Sequence, residues 1–259
     1  MKQRRKWKSK LTSCYLLFTL STLVLLTACS STNKKQEANI PEAPVVNYQK
    51  AAVLNAKLAI VYTQRGMLDR AKEKLLKAKS QDADIPEIYY AEGLYYQTLG
   101  MNDIAEPFFK KALSMAPKDY QAYNFYAQFL CEARQQYRAA EMLYQKSILL
   151  PRNVNLAETF TLYGQCLLVQ HKEDAAKKMF ERAINQGISS SYAYWELAVI
   201  NEKEGNYTQA LSMVNEYITR AGNTKEALTL KMNILQHLGR NNEAATLRLL
   251  LNSKDYQNA

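Results

Sequence analysis

The sequence predicts an all-α solenoid built from copies of one helix pair, and three sets of regularly spaced residues support this prediction. A small residue recurs about every 34 residues, at Ala59, Gly93, Ala127, Gly164 and Ala198. An alanine and then a large apolar residue recur at nearly the same interval, at Ala71, Ala105, Ala140, Ala176, Ala210 and Ala244 and at Leu75, Phe109, Tyr144, Phe180 and Val214. Self-similarity at a fixed period of this length indicates a repeat architecture.

Each unit is interpreted as two antiparallel helices of about 14 residues. The small residue of the first helix (helix A) lets the second helix (helix B) approach closely, and a large side chain such as Phe109 or Phe180 fills the remaining space. This arrangement is typical of tetratricopeptide repeats, so we expect a right-handed superhelix. A helical bundle with chance spacing is the alternative, and five or six repeats in register disfavour it. Glycines lie where the two helices need a turn, at Gly66, Gly100, Gly205 and Gly239.

The period places six repeats in a domain that spans residues 48–259. The third repeat carries one extra residue near Gln135–Gln136, and we expect the segment Asn153–Leu156 to loosen the join to the fourth. The sixth repeat departs most from the pattern, with Met232 in the small-residue position. We therefore expect it to act as a cap with a solvent-exposed outer face. The predicted repeats are residues 52–85, 86–119, 120–154, 157–190, 191–224 and 225–258.

The N-terminal residues predict the cellular location of the solenoid. Residues 1–28 combine a basic start, a short apolar run and the ending Leu26-Thr27-Ala28, which together describe a secretory signal peptide. A signal anchor is the alternative, but the apolar run is shorter than the roughly 20 residues that a membrane-spanning helix needs. The ending with Cys29 resembles the bacterial lipobox, which implies lipidation of Cys29, and Ser30 after it implies transit to the outer membrane. Residues 29–47 are expected to form a flexible tether with a reach of roughly 25 Å.

The charge of the chain does not predict nucleic-acid binding once the signal peptide is removed. The full chain carries a formal net charge of +10, but six of its 34 Lys and Arg residues and no Asp or Glu lie in residues 1–28. The mature chain therefore has 28 basic and 24 acidic residues. We interpret this modest surplus as an ordinary solvated charge, spread over helical surfaces.

Cys131 and Cys166 remain after the signal peptide and the lipidated cysteine are set aside, in a compartment that permits disulfides. Both lie on predicted A helices, in repeats three and four, and neighbouring A helices are expected to pack side by side. Their positions within the repeat differ slightly, so spacing alone leaves a disulfide and two buried thiols both open.

No arrangement of residues predicts catalysis. His171 and His237 lie two repeats apart, and no metal-binding or phosphate-binding motif occurs in the sequence. We therefore expect no enzyme, no cofactor, no metal and no small-molecule substrate. An enzyme with a site assembled from dispersed residues is the alternative.

Binding of a protein partner is the expected function, and the concave face of the superhelix is the expected site. Apolar residues such as Ile60, Leu94 and Val199 either contact a partner there or simply pack against the next A helix, and the sequence leaves both open. Few basic residues line the groove, so an apolar or amide-rich segment fits better than an acidic tail. The predicted groove residues are Val53, Ala56, Ile60, Thr63, Tyr90, Leu94, Gln97, Asn124, Gln128, Thr161, Gln165, Tyr192, Trp195 and Val199, with Gln121 and Glu158 among their polar neighbours.

The lipobox, the tether and the six repeats together resemble the type IV pilus biogenesis and stability lipoproteins, the PilF/PilW pilotins. The local matches are Arg65–Ala78 in repeat one, Tyr126–Cys131 in repeat three and Tyr163–Cys166 in repeat four. The resemblance covers essentially the whole mature chain. It also implies that Cys131 and Cys166 form a disulfide, because cysteines on these two helices are a feature of the family.

The resemblance implies a lipid-anchored, non-enzymatic protein on the periplasmic side of the outer membrane. It would bind the secretin of the pilus machine and promote its localisation or multimerisation, and we expect a monomer. The N-terminal repeats are implicated in that contact, so Ile60, Tyr90 and Leu94 are the first candidate contacts and Trp195 is a second patch. A general envelope scaffold, which serves β-barrel assembly or recruits peptidoglycan enzymes, is the alternative function.

Overall fold

The computed structural model describes residues 47–187 and 190–253, and these residues form twelve α-helices and no strand. The all-α solenoid of helix pairs is confirmed. The predicted signal peptide, Cys29 and nearly all of the predicted tether lie outside the described residues. The six A helices are α1 (Tyr48–Gln64), α3 (Pro86–Thr98), α5 (Tyr120–Glu132), α7 (Leu156–Val169), α9 (Ser191–Lys203) and α11 (Lys225–His237).

Each A helix is followed by a B helix that packs against it, which gives six helix hairpins. Neighbouring A helices contact one another from α1 through α7, as expected, whereas the contacts of α9 and α11 with the preceding repeat are mainly to its B helix. The B helices are α2 (Leu68–Gln81), α4 (Asn102–Met115), α6 (Tyr137–Leu149), α8 (Glu173–Ile184), α10 (Tyr207–Ala221) and α12 (Asn241–Leu251).

The turn inside each hairpin contains one residue in the left-handed region. Four of these residues are the glycines that the sequence places there, with φ between 70° at Gly66 and 77° at Gly205. In repeats three and four the same position holds Gln135, at φ 54°, and His171, at φ 58°. A side chain is strained in this region because its Cβ crowds the backbone, so two of the six turns store local strain.

The small-residue position works as the sequence predicts. A Cβ built on Gly164 would lie 2.6 Å from the ring of Phe180, and one built on Gly93 would lie 2.8 Å from the ring of Phe109. Both rings are buried. A glycine therefore occurs where the facing helix inserts a phenylalanine, because no methyl group fits between them.

The join between repeats three and four is held by buried hydrogen bonds. The amide nitrogen of Asn124 donates to Oγ1 of Thr159 at 3.0 Å, and Oγ of Ser147 donates to Oδ1 of Asn124 at 2.9 Å. Asn153 donates to the carbonyl of Ser147 and to Oγ1 of Thr159, each at 3.0 Å. The expectation that Asn153–Leu156 loosens this join is wrong, because the side chain of Asn153 links helix α6 to helix α7.

A disulfide links the same two repeats. Cys131 on α5 and Cys166 on α7 are bonded, and their Cα atoms lie 5.9 Å apart. Both cysteines are buried inside the largest apolar cluster, which extends from repeat two to repeat five. The disulfide and the polar network thus join the same pair of A helices, α5 and α7.

Candidate partner-binding surfaces

A cavity of about 230 Å³ opens on the side of the solenoid lined by A helices α1, α5 and α7. Its wall carries three residues that the sequence predicted for the groove, Asn124, Gln128 and Gln165. The complete lining is Gln64, Gln121, Asn124, Phe125, Gln128, Glu158, Leu162 and Gln165. The cavity is therefore rich in amides, with two apolar side chains among them.

Hydrogen bonds fix part of this wall. Nε2 of Gln128 donates to Oε1 of Glu132 at 2.9 Å, and the hydroxyl of Tyr90 lies 3.5 Å from Oε1 of Gln121. Burial raises the pKa of the Glu158 carboxyl, which a hydrogen bond from Asn155 partly offsets. An amide wall of this kind can donate to and accept from a peptide backbone, but it offers no strong charge to a ligand.

Five predicted groove residues are buried between helices; Asn124 still lines the amide-rich cavity, and the burial of the other four argues against a partner contact. Tyr90 is 1% exposed, and its ring stacks on Phe125 at a centroid distance of 4.8 Å. Residues seven positions apart share one face of a helix, and that face of the A helices points into the neighbouring repeat. The five residues are Ala56, Thr63, Tyr90, Asn124 and Thr161.

The remaining predicted groove residues are half-buried. Ile60 and Leu94 pack against buried apolar clusters, so the packing interpretation applies to both. Trp195 contacts Tyr217 of α10 at 5.2 Å and belongs to the cluster of the last two repeats. The side chains that keep some exposure are Val53, Ile60, Leu94, Gln97, Gln128, Gln165, Tyr192, Trp195 and Val199.

An exposed apolar stripe on α1 was missed by the sequence analysis. Leu54, Leu58 and Val61 are 61%, 43% and 38% exposed, and their spacing of four and three residues puts them on one face of the helix. No described helix precedes α1, so this face lacks the B helix that covers the corresponding face of a later repeat. The signal was present in the sequence, because the first A helix of a solenoid keeps apolar residues on a face with no preceding neighbour.

Within residues 47–187 and 190–253, no cluster of histidine, cysteine and carboxylate side chains could hold a metal ion. None of the helices in the same residues is both long and apolar enough to span a bilayer.

Comparison with known proteins identifies the repeat. The family model for the tetratricopeptide repeat matches residues 86–119, the same residues that the period assigns to repeat two. The type IV pilus assembly protein PilF of Pseudomonas aeruginosa is 27% identical over 156 residues, which make up 60% of this chain. The match spans 61% of the length of that relative.

Solved structures show the same fold. A structure of Pseudomonas aeruginosa PilF matches with a TM-score of 0.63 and 24% identity, and the match covers 82% of this chain and 98% of that one. A structure of PilW, described as a widely conserved type IV pilus biogenesis factor, gives a TM-score of 0.62 and 22% identity, with coverage of 80% and 97%. Together with the sequence match, these findings confirm the resemblance that the sequence suggested.

Proposed function

We propose that this chain, a tetratricopeptide repeat protein similar to PilF and PilW, is a non-enzymatic assembly factor for type IV pili. It binds the outer-membrane secretin of the pilus machine and promotes secretin localisation or multimerisation. The observation that carries this proposal is the 27% identity to a type IV pilus assembly protein over 156 residues, on a shared solenoid fold. Repeats of this kind are protein-binding scaffolds, which fits a role without catalysis.

The stripe of Leu54, Leu58 and Val61 is the surface that fits a protein partner best. Three adjacent apolar side chains on one helix face form a continuous patch, and its exposure to water is unfavourable. Exposed apolar patches of this kind mark interaction sites. An amphipathic helix or a strand of the secretin would bury this patch. The amide-lined cavity, with a volume of about 230 Å³, suits one inserted side chain rather than a whole segment.

In this proposal, lipidation of Cys29 anchors the protein to the outer membrane. A signal peptide of residues 1–28 would be removed, and the acylated Cys29 would hold the solenoid at the periplasmic side of the outer membrane. The solenoid then meets secretin subunits close to the membrane in which they assemble.

The test is the state of the secretin in cells that lack this protein. Outer-membrane fractions run without boiling would be probed for secretin multimers. We expect multimers to vanish or to move to the inner membrane, and we expect the wild-type gene to restore them. Multimers that persist in the outer membrane would contradict the proposal, and a broad loss of barrel proteins or of cell shape would instead favour a general envelope scaffold.

Variants locate the binding surface in the same assay. Leu54→Gln with Leu58→Gln removes the stripe without touching the core, and we expect this pair to fail in restoring multimers. Leu149→Gln with Leu249→Gln changes two leucines elsewhere that are even more exposed, at 80% and 74%, and this pair should restore the multimers fully. Full restoration by the stripe variant would remove the stripe from the proposed contact.

A further inference from the structure

The net charge of the solenoid is concentrated in its first repeat. Residues 48–85 carry eight Lys and Arg against four Asp and Glu, whereas residues 86–253 carry seventeen of each. The sequence interpretation that the surplus is spread over helical surfaces is therefore wrong. The other five repeats sum to zero, with repeats three and six at +2 and repeats two and five at −2, and repeat one carries the largest excess.

Ion pairs between repeats occupy several of the charges of repeats two to five. Arg134 of repeat three pairs with Asp103 of repeat two at 2.8 Å, and Lys203 of repeat five pairs with Glu173 of repeat four at 2.6 Å. No described repeat precedes repeat one, and among the described residues it is paired in this way only on its other side, through Lys79 and Glu92 of α3.

Three basic residues of α2 share one face of that helix. Arg70, Lys74 and Lys77 follow one another at spacings of four and three residues, and we name them the basic row. The guanidinium of Arg70 lies 5.9 Å from the ring centroid of Tyr62, which places the row beside α1. Lys74 pairs only with its neighbour Glu73, and Arg70 and Lys77 have no ion-pair partner among the described residues.

We propose that the basic row docks repeat one onto the anionic lipid headgroups of the membrane. Each Lys or Arg near an anionic bilayer contributes about 1 kcal/mol of attraction, so three on one face contribute about 3 kcal/mol together. The chain reaches the solenoid at Asn47, directly before α1, so a lipid on Cys29 would keep repeat one closest to the bilayer. Within a tether of roughly 25 Å the local concentration of headgroups is high, and even weak contacts are occupied.

The contact would give the solenoid an orientation that a tether alone cannot give. A lipid anchor alone would leave the orientation of the solenoid open, whereas headgroups bound to α2 would hold one side of repeat one against the membrane. The apolar stripe on the adjacent helix α1 would then be presented at a fixed height. The proposal rests on the proposed lipidation of Cys29 and does not depend on which protein binds the stripe.

Vesicle flotation tests the proposal with the chain from residue 29, in which Cys29→Ser removes the lipid. We expect it to float with vesicles that contain phosphatidylglycerol and not with vesicles of phosphatidylcholine alone, and we expect added salt to weaken the binding. Arg70→Gln with Lys74→Gln and Lys77→Gln should weaken binding on the order of a hundredfold. Sodium phosphate should compete no better than sodium chloride at equal ionic strength, because a bilayer and not a single phosphate is the ligand.

A matched control removes the same number of charges elsewhere. Lys118→Gln, Lys146→Gln and Lys178→Gln change exposed lysines of repeats two, three and four, and should leave binding within about twofold. Equal loss in this control, equal binding to neutral vesicles, or no binding to phosphatidylglycerol vesicles at the roughly millimolar lipid concentration that a short tether imposes would each overturn the proposal. If the wild-type chain does not bind vesicles and the basic-row variant no longer binds the secretin, the basic row belongs to a protein contact. The secretin proposal fails separately, in the multimer assay of the stripe variant.

Discussion

The junction between repeats three and four and the junction between repeats five and six are built from the same period but are held together differently. At the first, helices α5 and α7 share a disulfide and a buried polar network centred on Thr159. At the second, helix α11 packs mainly on α10, and the contacts are apolar and aromatic, including a Tyr207–His237 stack at 4.4 Å. A repeat sequence thus fixes the hairpin but leaves the strength of each junction to a few residues.

The difference matters because a solenoid is stabilised by nearest-neighbour contacts alone. Each repeat contacts only the repeats beside it, so a weak junction opens without disturbing a distant strong one. The described part of the terminal helix α12 buries only Ala244, as expected for a cap. We therefore expect the C-terminal repeats to open first and the centre of the solenoid to open last.

Removal of the disulfide should have the largest effect. Cys131→Ser with Cys166→Ser releases a loop whose ends are separated by 35 residues, and we expect the free energy of unfolding to fall by about 2–4 kcal/mol. Guanidinium unfolding of the variant, compared with the wild type with and without a reductant, measures this loss. Wild-type protein under reductant should match the variant, and an unchanged midpoint in both would show that packing alone holds the junction.

The polar network should have the next largest effect. Thr159→Val keeps the shape of the side chain but removes the oxygen that accepts from Asn124 and from Asn153, so one buried and one half-buried amide lose a partner. We expect a loss of about 1–3 kcal/mol in the free energy of unfolding.

Thr229→Val is the matched control for the network, because Thr229 is exposed on α11 and its hydroxyl donates only to the carbonyl of Lys225. The control should change stability by less than about 0.5 kcal/mol. Equal losses in both variants would mean that the hydroxyl contributes through its own helix and not through the junction.

Much of the fold could be predicted because it depends on positions that repeat. The approach of Gly164 to Phe180 follows from two residues at a fixed spacing, and so does the extra residue in the turn that contains Gln135. The candidate site was harder to predict. Burial of Tyr90 depends on how one A helix rotates against the next. Exposure of Leu54 depends on whether a helix covers α1 from the N-terminal side, and none of the described residues does, so neither is a property of a single repeat.

The charge of repeat one was readable from the sequence but was lost when charges were summed over the whole chain. The left-handed conformation of two turn residues, in contrast, could not be predicted from the local sequence. Nothing in it distinguishes Gln135 or His171 from a residue with negative φ. Their position in the period is the only signal, since the corresponding residue in the other four repeats is a glycine.

A substitution in the turn of repeat four should have the smallest effect on the free energy of unfolding, and it should stabilise the protein. His171→Gly should raise the free energy of unfolding by about 0.5–1 kcal/mol, because relief of the left-handed strain exceeds the entropy that glycine adds to the unfolded chain. Gly205→Ala makes the reverse change in repeat five, where an added Cβ meets no atom within 4 Å, so its expected loss of about 1 kcal/mol reports backbone conformation alone. If thermal unfolding shows both variants destabilised, the side chain of His171 contributes a contact that outweighs its strain, and the central repeats would be stabilised at their turns as well as at their junction.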